Sequence, residues 1–172
     1  MRLIRRATTL LMASTSVQSS TAPPAYDVVV YGASGFTGRL AVEYLTDRYA
    51  ASGLKWAIAG RSRERLDAVL QETKAAVPII VADATDAASV DAMVAQTKVL
   101  LNYAGSPYIT KALPVVEACA RHGTHYVDVT GEVALHRASL SKYDAKAKET
   151  GSLIVHSCGY DSIPSDLGYL LA

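Results

Sequence analysis

The sequence predicts a doubly wound α/β fold around one six-stranded parallel sheet, on three observations. From Asp27 onward, short β-branched or apolar runs alternate with longer helix-compatible segments, the order that builds strand–helix–strand crossovers. The first run, Asp27-Val28-Val29-Val30-Tyr31, has no polar alternation, as a strand covered by helices on both faces requires. A glycine-rich segment, 32–38, follows that run directly and leads into the next helix-compatible stretch.

Size and composition agree with this class. The chain has 172 residues, which gives room for one core of ordinary size and not for two large ones. Half of the residues are hydrophobic and 19% are charged, the balance of a globular domain. Seventeen basic residues against sixteen acidic ones leave a net charge of +1, which supplies no field for gripping nucleic-acid phosphates. Cys119 and Cys158 form neither a CxxC unit nor a disulfide framework, which favours a reducing compartment.

Each element follows from its local pattern. Strands are expected at Asp27–Tyr31, Lys55–Ala59, Pro78–Val81, Val99–Asn102, His125–Val129 and Leu153–His156. Helices are expected at Thr37–Ala50, where Leu40, Val42, Tyr44 and Leu45 recur near helical spacing, and at Arg63–Thr73, Ala87–Ala95, Thr110–His122 and Ala134–Glu149. His122-Gly123 reads as a C-terminal stop, since glycine takes positive φ without strain. Right-handed crossovers leave few orders for six parallel strands. The order 3-2-1-4-5-6 is the commonest, and a flavodoxin-like order is the alternative.

The segment Gly32-Ala33-Ser34-Gly35-Phe36-Thr37-Gly38 carries the first functional expectation. At a strand-to-helix junction, free backbone N–H groups and the positive end of the helix dipole can receive a diphosphate. Gly32 permits the sharp turn, Gly35 lets backbone approach the diphosphate, and Gly38 lets the helix pack closely on the sheet. Ser34 and Thr37 are placed either to bond phosphate oxygens or to cap the helix. All seven residues enter the cofactor-binding set of a Rossmann domain.

The second strand chooses between dinucleotides. An NAD site usually ends that strand in an acid that accepts from the ribose hydroxyls, about 20 residues past the loop. Here the sequence reads Ala59-Gly60-Arg61-Ser62-Arg63, which puts a guanidinium and a hydroxyl where a 2′-phosphate would lie. NADP is therefore the expected cofactor, with Arg61 as its main reader. Ser62 is equally placed to cap the second helix, and Arg63 and Arg65 to form a solvated helix face. Asp83, after the third strand, is placed to border the adenine or to make an ordinary turn. Asn102, Ala104 and Gly105, leaving the fourth strand, are expected beside the middle of the cofactor.

No catalyst is evident. No tyrosine has a lysine four residues on, which removes the short-chain dehydrogenase mechanism, and no Cys/His cluster suits zinc. Asp128, Glu132 and Asp161 fall on the carboxyl edge. Each can orient substrate or move a proton, or can instead cap a turn, open a helix or hold a loop.

Four motifs, Gly32–Gly38, Ala59-Gly60-Arg61-Ser62, Gly-Thr-His-Tyr-Val-Asp-Val-Thr-Gly-Glu at 123–132 and Gly-Tyr-Asp-Ser-Ile-Pro-Ser-Asp-Leu-Gly at 159–168, together resemble the saccharopine dehydrogenase-like oxidoreductases. They also resemble the trans-acting enoyl reductases of lipid assembly. The resemblance implies an NADP-binding domain over 27–172 followed, in longer relatives, by a second α+β domain that shapes the substrate pocket and a homodimer. It implies hydride transfer to or from a C=N, C=O or C=C bond of an amino-acid or lipid-type substrate, with lipid-droplet or membrane association in some members. The chain departs from the family pattern at 104–112, where one residue is inserted and a Tyr-Gly pair is lost. Two alternatives stand beside the enzyme: a noncatalytic NADP-binding redox sensor and a truncated inactive product.

Residues 1–26 contain Arg2, Arg5 and Arg6 and many hydroxyl residues but no acid, the composition of a mitochondrial transit segment, with an unaddressed, disordered extension as the alternative. The apolar stretch near Leu10–Ala13 is far below the roughly 18 residues that cross a bilayer. Cytoplasmic or lipid-droplet placement is the other expectation.

Overall fold

The computed structural model describes residues 23–172. The targeting expectation for the N-terminal extension therefore lies outside the described residues, apart from 23–26. Six strands, β1 (Tyr26–Tyr31), β2 (Trp56–Gly60), β3 (Ile79–Val81), β4 (Thr97–Asn102), β5 (His125–Asp128) and β6 (Ile154–Val155), form one sheet in the order β3-β2-β1-β4-β5-β6. Every pairing is parallel. The expected order is the one observed, with β1 between β2 and β4.

Helices α1 (Phe36–Tyr49), α2 (Arg63–Thr73), α3 (Ala87–Val94), α4 (Tyr108–Lys111), α5 (Leu113–His122), α6 (Val133–Thr150) and α7 (Ile163–Leu171) complete the fold. The pleat of β1 divides its side chains between two cores. Val29 and Tyr31 join Leu100, Met93, Val115 and Tyr126 beneath α3 and α5, while Val30 joins Ile58, Val42, Leu66 and Val69 beneath α1 and α2. That is why the first strand carries valines on both faces. Each fully buried side chain of this size contributes about 1.5–3 kcal/mol.

Helix ends follow local chemistry. Ser62 accepts from the Arg65 N–H at the start of α2, Asp86 accepts from the Ala88 N–H at the start of α3, and Gly123 ends α5 at φ 75°. One expected helix is divided. Thr110–His122 is not continuous, because Pro114 has no N–H for the carbonyl of Thr110; the short α4 ends at Lys111, Ala112 caps it, and α5 begins at Leu113. β6 is also shorter than expected, since Leu153 and His156 turn their polar groups to His125 and Asp128.

Candidate functional site

The glycine turn sits at the carboxyl end of β1, where the order of strands reverses. Gly32 has φ 81°, and a Cβ there would lie 2.5 Å from the Ala104 nitrogen and 2.6 Å from the Tyr103 carbonyl carbon. Turn and neighbouring loop therefore meet backbone to backbone. A Cβ on Gly38 would collide with the Gly32 carbonyl and lie 2.9 Å from Ala33 Cα. Both glycines are required by the fold itself. Gly35 differs: its φ of −79° suits any residue, and the nearest atom to a Cβ there is the Gly32 oxygen at 3.3 Å. A side chain there would ask only the Gly32 carbonyl to give by a few tenths of an ångström, a far milder demand than at Gly32 or Gly38.

Gly35 is also the N-cap of α1, which opens with no side-chain cap and no acid in its first turn. The first N–H groups of a helix have no intrahelical partner, and the dipole places partial positive charge among them. In α2 and α3 a side-chain oxygen meets that need. At α1 the donors face a cleft of about 460 Å³ lined by Gly32, Ser34, Gly35, Phe36 and Thr37 on the turn, Arg61 and Arg65 beyond β2, Asp83 beyond β3, and Tyr103, Ala104, Gly105, Tyr108 and Lys111 beyond β4. This donor set, backbone N–H groups with flanking cations, fits an anionic dinucleotide.

The cleft is net cationic. Among the described residues Arg61, Arg65 and Lys111 belong to no salt bridge. The Lys111 ammonium donates to the Ser106 carbonyl at 3.0 Å. The one carboxylate on the wall, Asp83, accepts from the N–H and hydroxyl of Thr85, and these bonds together with Arg61 hold it below the usual carboxylate range. Tyr31, on the cleft floor, is pushed up to about 12 by burial and by the charge of Asp83, so it stays a neutral phenol. Burial likewise raises Tyr103 and Tyr108, the latter also through Asp128 and Glu132.

Not every expected residue reaches the cleft. Ala33 is fully buried in the α1–α2 core, and Gly38 packs α1 on the turn. Ser62 is the α2 cap and does not line the cleft. Asn102 is 1% exposed and spends its amide on the Tyr126 hydroxyl and the Ala104 N–H, so it too stands behind the wall. Conversely, Tyr108 and Lys111 line the cleft although the sequence gives them no role there, and Arg65, for which a solvated helix face is at least as well placed an expectation, lines it too; each is one residue on a helix surface, and only the packing shows which way it faces.

The acids on the carboxyl edge are occupied structurally. Glu132 accepts from the Tyr108 and Ile109 N–H groups at 2.8 and 3.0 Å, capping α4 with both oxygens. Asp128 is buried, which pushes its carboxyl up, but His156 and the N–H groups of Ser157 and Thr130 outweigh that and hold it below the usual range. Asp161 is exposed. Among the described residues no group of His, Cys, Asp or Glu is arranged to hold a metal ion, and no helix is long and apolar enough to cross a membrane.

A parallel sheet in this order, with a glycine turn opening onto a cationic crevice at the strand reversal, defines a dinucleotide-binding domain of the Rossmann class. The chain belongs to the family described as saccharopine dehydrogenase NADP binding domain, which matches residues 28–155, and its cofactor is a nicotinamide nucleotide. It is similar to a trans-acting enoyl reductase of Mycobacterium tuberculosis, 45% identical over 145 residues that cover 83% of this chain and 34% of that protein. It is equally similar to a lipid droplet localized protein of Caenorhabditis elegans, 45% identical over 150 residues covering 83% of this chain and 35% of that protein. The chain thus spans about a third of the length of the curated relatives it matches. Among solved structures, apo saccharopine dehydrogenase (L-Glu forming) from Saccharomyces cerevisiae superposes with a TM-score of 0.68 at 22% identity, over 85% of this chain and 30% of that one, which shows the shared fold.

Proposed function

We propose that the cleft binds NADP(H), with the diphosphate on the opening turn of α1 and the 2′-phosphate at Arg61, and that the domain serves hydride transfer in a saccharopine dehydrogenase-like oxidoreductase. The observation that carries this reading is Gly35. The fold excludes side chains at Gly32 and Gly38 outright, whereas at Gly35 it asks only for a small shift of the Gly32 carbonyl. An anion drawn against the uncapped N–H groups of α1 supplies the stronger reason for a glycine there.

The residues divide the work along the cleft. Ser34, Gly35, Phe36 and Thr37 offer the turn, and the Thr37 and Ser34 hydroxyls are available to phosphate oxygens. Arg61 makes a planar, charge-assisted fork toward a 2′-phosphate, with Arg65 adding positive charge from the first turn of α2. Asp83 borders the adenosine side. Tyr103, Ala104 and Gly105 form the opposite wall, because β2 and β4 flank β1 on opposite sides. NADPH, when bound, supplies the hydride. Tyr108 and Lys111 are the donors on this chain that face the nicotinamide-side wall, and both can stabilise charge that develops on an acceptor.

The acceptor is a C=N, C=O or C=C bond of an amino-acid or lipid-type substrate, the lipid class being supported by the enoyl reductase and lipid-droplet relatives. Since Asp128 and Glu132 spend their oxygens on structure, further catalytic groups come from outside this domain, in a longer protein that also forms the substrate pocket. Titration calorimetry of the chain with NADPH and with NADH tests the proposal. Saturable binding with a clear preference for NADPH is expected, and equal affinity for both dinucleotides would overturn the 2′-phosphate assignment.

A further inference from the structure

Behind the Tyr103–Gly105 wall runs a buried chain of polar groups with one permitted direction. Its inner end is Asp128, 2% exposed, whose Oδ1 accepts from the Thr130 and Ser157 N–H groups at 3.1 and 3.0 Å. Its Oδ2 lies 2.7 Å from His156 Nδ1 and accepts from the Tyr126 hydroxyl at 2.9 Å. A phenol has a single proton. With that proton directed at the carboxylate, the Tyr126 oxygen is left as an acceptor, and Asn102 Nδ2 donates to it at 2.9 Å. The amide orientation of Asn102 is thereby fixed, and its Oδ1 turns outward to accept from the Ala104 N–H at 2.8 Å.

The outer end of this chain is a cleft residue. Ala104 stands between Tyr103 and Gly105 on the wall, and its nitrogen is the atom that a Cβ on Gly32 would strike first. The loop therefore presses on the very turn that receives the diphosphate. Reversing the Asn102 amide would set an NH2 group against the Ala104 N–H and push this loop off Gly32. Tyr126 is fully buried, so water cannot replace the missing link without opening the core.

We propose that Asn102 and Tyr126 are positioning residues for the cofactor, and that the Asp128 carboxylate sets the polarity of the hydrogen-bond chain through which they hold the Tyr103–Gly105 loop against the glycine turn. This rests on the reading of the cleft as an NADP(H) site. None of the three side chains lines the cleft, so their effect passes through the loop. The loop forms the nicotinamide-side wall, away from Arg61, and this makes the proposal separable from general loss of structure.

The test titrates the chain and its Tyr126→Phe and Asn102→Ala variants with two probes, NADPH and adenosine 2′,5′-bisphosphate, which lacks the nicotinamide half. NADPH is expected to bind about fivefold to tenfold more weakly to each variant, the worth of one buried hydrogen bond, while the bisphosphate keeps its wild-type affinity. Equal losses for both probes, or unchanged NADPH affinity, would overturn the positioning role. Failure of the unaltered chain to bind either probe would instead bring down the NADP(H) reading, and the proposal with it. Should the variants not fold, hydrogen exchange of the wild-type Ala104 amide decides: protection like that of the β4 amides supports the chain, and exchange at the rate of an exposed loop overturns it.

Discussion

Replacing Arg61 with alanine is expected to separate NADPH from NADH. In the free chain the guanidinium forms no salt bridge among the described residues and meets only the charge of Asp83 across the cleft, so its removal breaks no salt bridge and leaves the fold intact. A charge-assisted hydrogen bond is worth about 1.5–3 kcal/mol, and Arg61 is exposed, so solvent screening places its share at the lower end. Arg65, on the same wall, retains part of the attraction in the variant. The expected loss for NADPH is therefore roughly 1–2 kcal/mol, or about 5-fold to 30-fold in Kd. NADH, which has no 2′-phosphate, should lose less than about twofold. Calorimetric titration of both nucleotides against wild type and variant reads the difference directly. Raising the salt concentration should narrow the wild-type preference for NADPH more than the smaller preference that Arg65 leaves in the variant, since the contacts are exposed and ionic. Equal losses for the two nucleotides would refute the reasoning, because the guanidinium would then be acting on something both share.

Two further outcomes follow from the same geometry. Gly35→Leu should abolish NADPH binding with little change in the denaturation midpoint, whereas Gly38→Ala should destabilise by about 1–3 kcal/mol, because its Cβ meets backbone that cannot move aside; a Gly35 variant that binds normally, or one that unfolds, contradicts the division of roles between these glycines. The Asp128 carboxyl is held low in the folded protein, so the stability it contributes is complete above the ordinary carboxylate range near about pH 3.9 and disappears as the pH falls through its lower folded value. The acid limb of a stability–pH curve should consequently be shallower in Asp128→Asn than in wild type, with the residual slope coming from Asp27 and Asp83; parallel limbs would show that Asp128 is not the group involved.

Much of this architecture is written in local pattern. The β-branched runs mark the strands and the handedness of crossovers leaves few sheet orders, among which packing selects one, and the observed pairing puts β1 at the centre, as its unbroken Asp27–Tyr31 run requires. Gly123 and Ser62 end and begin helices because their conformational freedom and hydrogen-bonding capacity act within a few residues. The division of α4 from α5 was also legible in principle, at Pro114, but its weight is hidden where Lys111, Ala112 and Leu113 before it and Glu117 and Ala118 after it favour helix.

The glycine turn belongs to the sequence as well, since its spacing already assigns the bend, the clear approach and the close packing to three positions. Which residues face the resulting cleft was decided only by folding. Asn102 carries the composition of a ligand contact and yet turns inward, while Lys111 and Arg65 look like ordinary surface cations and yet line the wall. The Asp128–His156 contact joins residues 28 positions apart and exists because β5 and β6 pair in one parallel register. Periodicity and capping are short-range and survive in the order of residues. The direction of a hydrogen bond, by contrast, depends on side chains from separate strands meeting in a core from which water is excluded, and that meeting is a property of the packed molecule alone.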